Sequence, residues 1–261
     1  MTATTHNRRD MDDEEMMRLF KKFHIVTAGT RALEIIQDPA YDHYTFKDVL
    51  VEMLLAQEDG YIQRTSNKRL KAAHLVNPQA TMQALRENPP ADFTPQRLAR
   101  LQSDTWIIGP NPQNLVIIGP TGSGKSFLAQ AIAHHACMNL FSVRYWRLAE
   151  LAAEIDSLNH DPEETNKLVE RISKYHLVIL DDFFTTEISA HSITVLFEIM
   201  EARTGQATII VSQLGAPDWG TMMPNKVTAE SLINRILHPS MTITLAGEEN
   251  LRETYLPKEA I

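Results

Sequence analysis

The run Gly119-Pro120-Thr121-Gly122-Ser123-Gly124-Lys125-Ser126 constrains this chain more than any other feature, because it fits G-x-x-x-x-G-K-[ST]. The apolar run 115–118 reads as a strand immediately before it, and 125–138 reads as a helix after it. A strand, a glycine-rich loop and a helix in that order make a phosphate cradle. Glycines let the loop curl until its N–H groups point inward, and the helix turns its positive N-terminal end on the same anion. Nucleotide contacts are expected from Gly119 through Phe127, with Lys125 reaching the β- and γ-phosphates and the Ser126 hydroxyl on Mg²⁺.

Such a loop needs a second anchor for the metal. Leu177-Val178-Ile179-Leu180-Asp181-Asp182 has the right form, four apolar strand residues ending in two carboxylates. Asp181 is expected to hold Mg²⁺ through a water, since that ion keeps much of its hydration shell. Asp182 is expected to orient or deprotonate the attacking water. ATP and Mg²⁺ are therefore the expected cofactors.

Short β-rich runs recur at 115–118, 142–146, 177–180, 208–212 and 241–245, separated by helical stretches such as 125–138, 148–157 and 189–203. Apolar strands alternating with helices predict an α/β domain, a parallel five-stranded sheet covered on both faces. The first hundred residues read instead as helix. Phe46, Val49, Leu50, Met53 and Leu54 form one apolar helical face, and Thr45 followed by Asp48 starts it with a capping box. An earlier stretch, 16–37, is also helix-like. Pro78, Pro89, Pro90 and Pro95 punctuate residues 76–95, and Thr94-Pro95 opens a short helix to about Gln102. The expected division is a helical domain over 1–90 and a nucleotide-binding domain over 91–261.

The formal net charge is −8, and almost all of it falls after residue 105. An acidic balance argues against a large nucleic-acid footprint, which is normally basic, but leaves room for local patches. Arg64, Lys68 and Lys71 stack at helical spacing with Arg69 beside them, and Arg144 and Arg147 flank the second strand. Their competing reading is a solvated helix face. Cys137 is the lone cysteine, so no internal disulfide is expected. No apolar run reaches the length of a membrane span, and the first residues are polar and acidic where a secretory signal needs an apolar core. A soluble, cytoplasmic protein is expected.

Taken in order, these segments resemble the IstB-like ATPases, helper proteins of an insertion-sequence transposition system, and more distantly the DnaC helicase loaders. Both belong to the initiator-type branch of the AAA+ ATPases. The resemblance runs from 44–50 and 68–73 through 114–126, 177–182, 196–200 and 208–213 to 232–237 and the last strand. It implies that Gln213, at the end of the fourth strand, is a sensor of the γ-phosphate or the attacking water. It implies that Arg235 is the finger one subunit places against its neighbour's γ-phosphate, a task suited to a permanent charge with rigidly arrayed donors. Arg203 is a weaker second candidate for such a contact. Little of the chain lies beyond Arg235, and a strand uses part of it, so a helical lid has little room.

The function this implies is an ATP-dependent, DNA-binding helper of transposition. It would assemble as a ring or helical filament on duplex DNA, without reading sequence, and recruit or stimulate the element's transposase. The expected location is the bacterial cytoplasm, at the nucleoid. A DnaC-type helicase loader shares every nucleotide-site residue. A P-loop small-molecule kinase, or an assembly protein that binds ATP and scarcely hydrolyses it, are the rivals from other classes.

Overall fold

The computed structural model describes residues 11–90, 93–223, 226–238 and 240–246. Among them the chain forms two compact units, Met1–Thr65 and Ser66–Ile261.

The first unit holds α1 (Asp13–Lys22), α2 (Val26–Gln37) and most of α3 (Phe46–Ala73). Asp12 caps α1, accepting from the Glu15 N–H at 2.8 Å, with acidic residues in its first turn and lysines in its last, which suits the helix dipole. The helix-like stretch 16–37 is broken after Phe23, where His24 takes a left-handed φ of 60°. Arg31 of α2 pairs with Glu52 of α3 at 2.8 Å. The expected capping box opens α3: the Asp48 carboxylate accepts from the Thr45 N–H at 2.8 Å, and Thr45 Oγ1 accepts from the Asp48 N–H at 3.3 Å. The apolar face behind it differs from expectation. Phe46 is 84% exposed, and Leu50 and Leu54 are exposed as well. Periodicity specifies a face able to bury itself, not what covers it.

The second unit begins inside α3 and continues through α4 (Met82–Glu87), α5 (Pro95–Gln102) and α6 (Thr105–Ile108) into an alternating series. That series is β1 (Asn114–Ile118), α7 (Lys125–Met138), β2 (Val143–Arg147), α8 (Leu148–Ser157), α9 (Pro162–Ser173), β3 (Leu177–Asp181), α10 (Ala190–Ala202), β4 (Ala207–Ser212), α11 (Ala216–Trp219), α12 (Lys226–Leu237) and β5 (Ser240–Thr244). All five strands are parallel, in the order β2-β3-β4-β1-β5. The contact-defined division thus lies within α3, not at residue 90. The prolines mark turns instead. Ala80, Met82, Leu85 and Leu101 enter the same core as α7, and Thr94 caps α5 ahead of Pro95.

Alternate strand residues serve opposite faces, as the pleat requires. Leu115, Ile117, Ile179 and Ile209 pack with α7 and the 73–107 segment, while Val116, Val178, Leu180 and Ile210 pack with α8, α9, α10 and α12. Burial on both faces explains why the central strands β3, β4 and β1 read as continuous apolar runs. The α9 helix carries its own start signal, Asp161 accepting from the Glu163 and Glu164 N–H groups with Pro162 in the first turn.

Arg203 corrects an expectation. It is 2% exposed, so it is a core residue and no candidate for contact with another subunit. Its guanidinium donates to the Ile172, Tyr175 and Ala207 carbonyls and to Thr208 Oγ1, tying the ends of α9 and α10 to the start of β4. Burial lowers its pKa to about 9. The segment 247–261, on which the expectation about a helical lid falls, lies outside the described residues.

Candidate nucleotide-binding site

The loop 119–124 leaves the end of β1 and enters α7 directly. Gly122 and Gly124 both have φ of 85°, a conformation that favours glycine. Gly119 is required for a different reason. A Cβ there would lie 2.7 Å from the Leu245 carbonyl oxygen and 2.8 Å from Ser123 Oγ. Gly119→Ala is therefore expected to push the loop off its path and weaken ATP binding by about 10-fold or more. Titration with a fluorescent ATP analogue checks this, and unchanged affinity would show the loop tolerates the shift.

Inside the loop, Lys125 is buried and donates through Nζ to the Pro120 carbonyl at 2.7 Å. Ser123 Oγ is buried with no hydrogen-bond partner. The Lys125 ammonium and the orphaned Ser123 hydroxyl thus belong to one loop at the N-terminal end of α7, donors of the kind a phosphate chain requires. The Thr121 hydroxyl donates to Gln213 Oε1 at 2.8 Å, so the loop and the end of β4 are directly joined.

Because β3 lies beside β4, which lies beside β1, its two carboxylates end at the same edge of the sheet as the loop. Asp181 is 2% exposed. Its Oδ2 accepts from the Tyr145 hydroxyl at 2.7 Å and its Oδ1 from the Asp182 N–H at 2.8 Å. Burial raises the Asp181 pKa, opposed by hydrogen bonds from Tyr145 and from Ser126. The Ser126–Asp181 contact brings both expected metal ligands together, and two hard oxygen donors suit Mg²⁺. Asp182 takes a left-handed φ of 53° and carries a half-exposed carboxylate whose Oδ2 is 3.9 Å from Arg147 Nε.

Arg147 thus stands beside the carboxylates, also 3.8 Å from Glu150, although the sequence placed it among DNA candidates. Arg144 caps the C-terminal end of α3 by donating to the Ala72 carbonyl, and its guanidinium faces the Trp146 ring at 4.8 Å. Arg64, in the first unit, donates to Thr27 Oγ1 at 3.1 Å, while Lys68, Arg69 and Lys71 belong to the second unit. Sequence reasoning missed Tyr145, whose bond to Asp181 depends on β2 pairing with β3. It also missed Thr121 as the partner of Gln213. No spacing rule signals either one.

Arg235 is remote from these groups. Its carbonyl and that of Ile236 accept from Asn114 Nδ2 at 3.3 and 2.9 Å, at the first residue of β1. The loop begins beyond the last residue of that strand. Five residues of strand span roughly 13–16 Å, so Arg235 sits at the opposite edge of the sheet from the cradle.

A five-stranded parallel sheet in this order, with a glycine-rich loop after β1 and paired carboxylates closing β3, defines a P-loop nucleotide-binding domain of the AAA+ class. The family model described as "IstB-like ATP binding protein" matches residues 22–255. The chain belongs to this family. An insertion sequence ATP-binding protein of Sinorhizobium fredii, y4uH, is 29% identical over 192 residues, covering 73% of this chain and 75% of the relative. Among solved structures, DnaI aligns with TM-score 0.53 and 20% identity over 67% of this chain and 94% of its own. The DnaC helicase loader aligns with TM-score 0.51 and 16% identity over 64% and 97%. These two likenesses are of fold.

Proposed function

We propose that this chain is an ATP-hydrolysing helper of insertion-sequence transposition that assembles on duplex DNA and engages the element's transposase. Membership of the IstB-like family and the relative named as an insertion sequence ATP-binding protein support the setting. The observation that carries the mechanism is the separation of Arg235 from the phosphate cradle across the length of β1. A guanidinium at that edge serves a phosphate only on another subunit, so turnover requires assembly.

Within the site, N–H groups of the loop after Pro120 and the Lys125 ammonium grip the phosphates of ATP. Ser126 and Asp181 would hold Mg²⁺, which would supply positive charge to offset that of the phosphates. Asp182 takes the proton of the attacking water, steadied by Arg147, and the Gln213 amide reads the γ-phosphate. The neighbour's Arg235 meets the charge that develops in transfer, an effect that reaches about 10³–10⁵ in rate in arginine-finger enzymes. Lys68, Arg69 and Lys71 offer sequence-independent phosphate contacts to DNA, with Arg64 and Arg144 as further candidates.

Sedimentation with a random-sequence duplex or its single strand, in ATP with Mg²⁺, in ADP or without nucleotide, tests this reading. Large ATP-dependent assemblies that favour duplex are expected. A single-strand preference would instead support a helicase loader, the role named for the DnaC structure that shares this fold. A monomer indifferent to DNA would overturn both.

A further inference from the structure

Resting on the trans reading of Arg235, we infer that Glu201 and Phe197 are positioning residues that seat this guanidinium for its neighbour's phosphate. Arg235 Nη2 donates to Glu201 Oε1 at 2.9 Å, and the guanidinium carbon lies 4.9 Å from the centroid of the Phe197 ring. Both partners come from α10, four residues apart, so one helix face supplies an anion and an aromatic plane together. The α12 end that carries Arg235 is held in turn by Asn114, through the Arg235 and Ile236 carbonyls.

The seat is poorly suited to be a fold staple. The side chains of Arg235 and Glu201 are 32% and 57% exposed, and pairs that open to water contribute little to stability. It is well suited to orienting. A free arginine side chain samples many rotamers, and ordering it on contact with a phosphate costs rate. A carboxylate on one nitrogen and a ring against the guanidinium restrict its rotamers and plane beforehand. The seat also leaves donors over: a guanidinium has five, Glu201 accepts from Nη2, and the side chain stays 32% exposed. A second acceptor can therefore be taken while Glu201 stays bound.

The test uses full-length protein on duplex DNA, with ATP turnover measured against protein and ATP concentration. Glu201→Gln and Phe197→Leu are each expected to lower kcat by about 5–10-fold with KM for ATP and the unfolding midpoint unchanged. In an Arg235→Ala background neither should lower it further. Mixing then locates the defect. Asp182→Asn subunits, with a dead site and intact Arg235, should restore turnover to Arg235→Ala subunits. Adding Glu201→Gln to the first should cut the restored turnover by the same factor, and adding it to the second should not.

Unchanged or raised turnover in Glu201→Gln would overturn the proposal, the latter marking Glu201 as a competitor for the finger. A loss that tracks with the intact site would also overturn it. If Arg235→Ala is itself fully active, or mixing restores nothing, the trans reading fails and the seat falls with it. That outcome is distinct, because it is read without altering Glu201.

Discussion

Asparagine at Asp182 is expected to lower ATP turnover by about 10²–10⁴-fold while leaving nucleotide affinity within a few-fold. The substitution is chosen for its backbone. Asp182 has φ of 53°, and asparagine tolerates the left-handed region as aspartate does, so the turn after β3 survives. What is lost is the proton acceptor and the charge 3.9 Å from Arg147 Nε. The phosphate contacts remain, because the loop and Lys125 are untouched. Phosphate release and binding of a fluorescent ATP analogue separate the two effects. Full turnover in Asp182→Asn would remove Asp182 from the mechanism, and lost binding would show that it belongs to the cradle instead.

Arg203→Ala is expected to destabilise the second unit by about 3–5 kcal/mol. Three carbonyls, of Ile172, Tyr175 and Ala207, lose a charged donor, and the bonds to Ile172 and Ala207 are buried. A cavity the size of the side chain is left as well. Against this stands the relief of an unpaired buried charge, visible in the pKa drawn down to about 9. The unsatisfied carbonyls and the cavity outweigh it, since each acceptor alone costs about 1–3 kcal/mol. Trp106, Trp146 and Trp219 are all buried in the second unit, so denaturation monitored by tryptophan fluorescence reads this loss directly. A change below about 1 kcal/mol would mean that the carbonyls find other donors.

These two predictions divide along the line between local and tertiary information. The nucleotide cradle was legible in the sequence because its chemistry is local. A loop that must curl requires glycines at fixed offsets, and Gly122 and Gly124 take the left-handed φ that the pattern calls for. The central strands β1, β3 and β4 were legible because burial on both faces leaves unbroken apolar runs, and β3 ends in its carboxylates within one residue of where the pattern put them. Caps at Thr45 and Thr94 are likewise side-chain bonds across three residues.

Arginine shows where that legibility stops. Arg235 and, more weakly, Arg203 were both candidates for contact with a neighbour, each near the end of a helix that precedes a strand. One is folded inward onto three carbonyls, and the other sits partly exposed against Glu201. Arg144 and Arg147 occupy the second strand three residues apart, yet one caps α3 and the other faces Asp182. The amino-acid sequence by itself determined which chemistry the chain carries, the alternation of helix and strand around it, and the starts of α3 and α5. Only the tertiary structure decided which charge is buried, which is seated for a partner, and that Tyr145 and Thr121 brace the Asp181 and Gln213 side chains. The reason is physical: caps and loops are set by neighbours along the chain, whereas the environment of a long charged side chain is set by elements a strand order brings beside it.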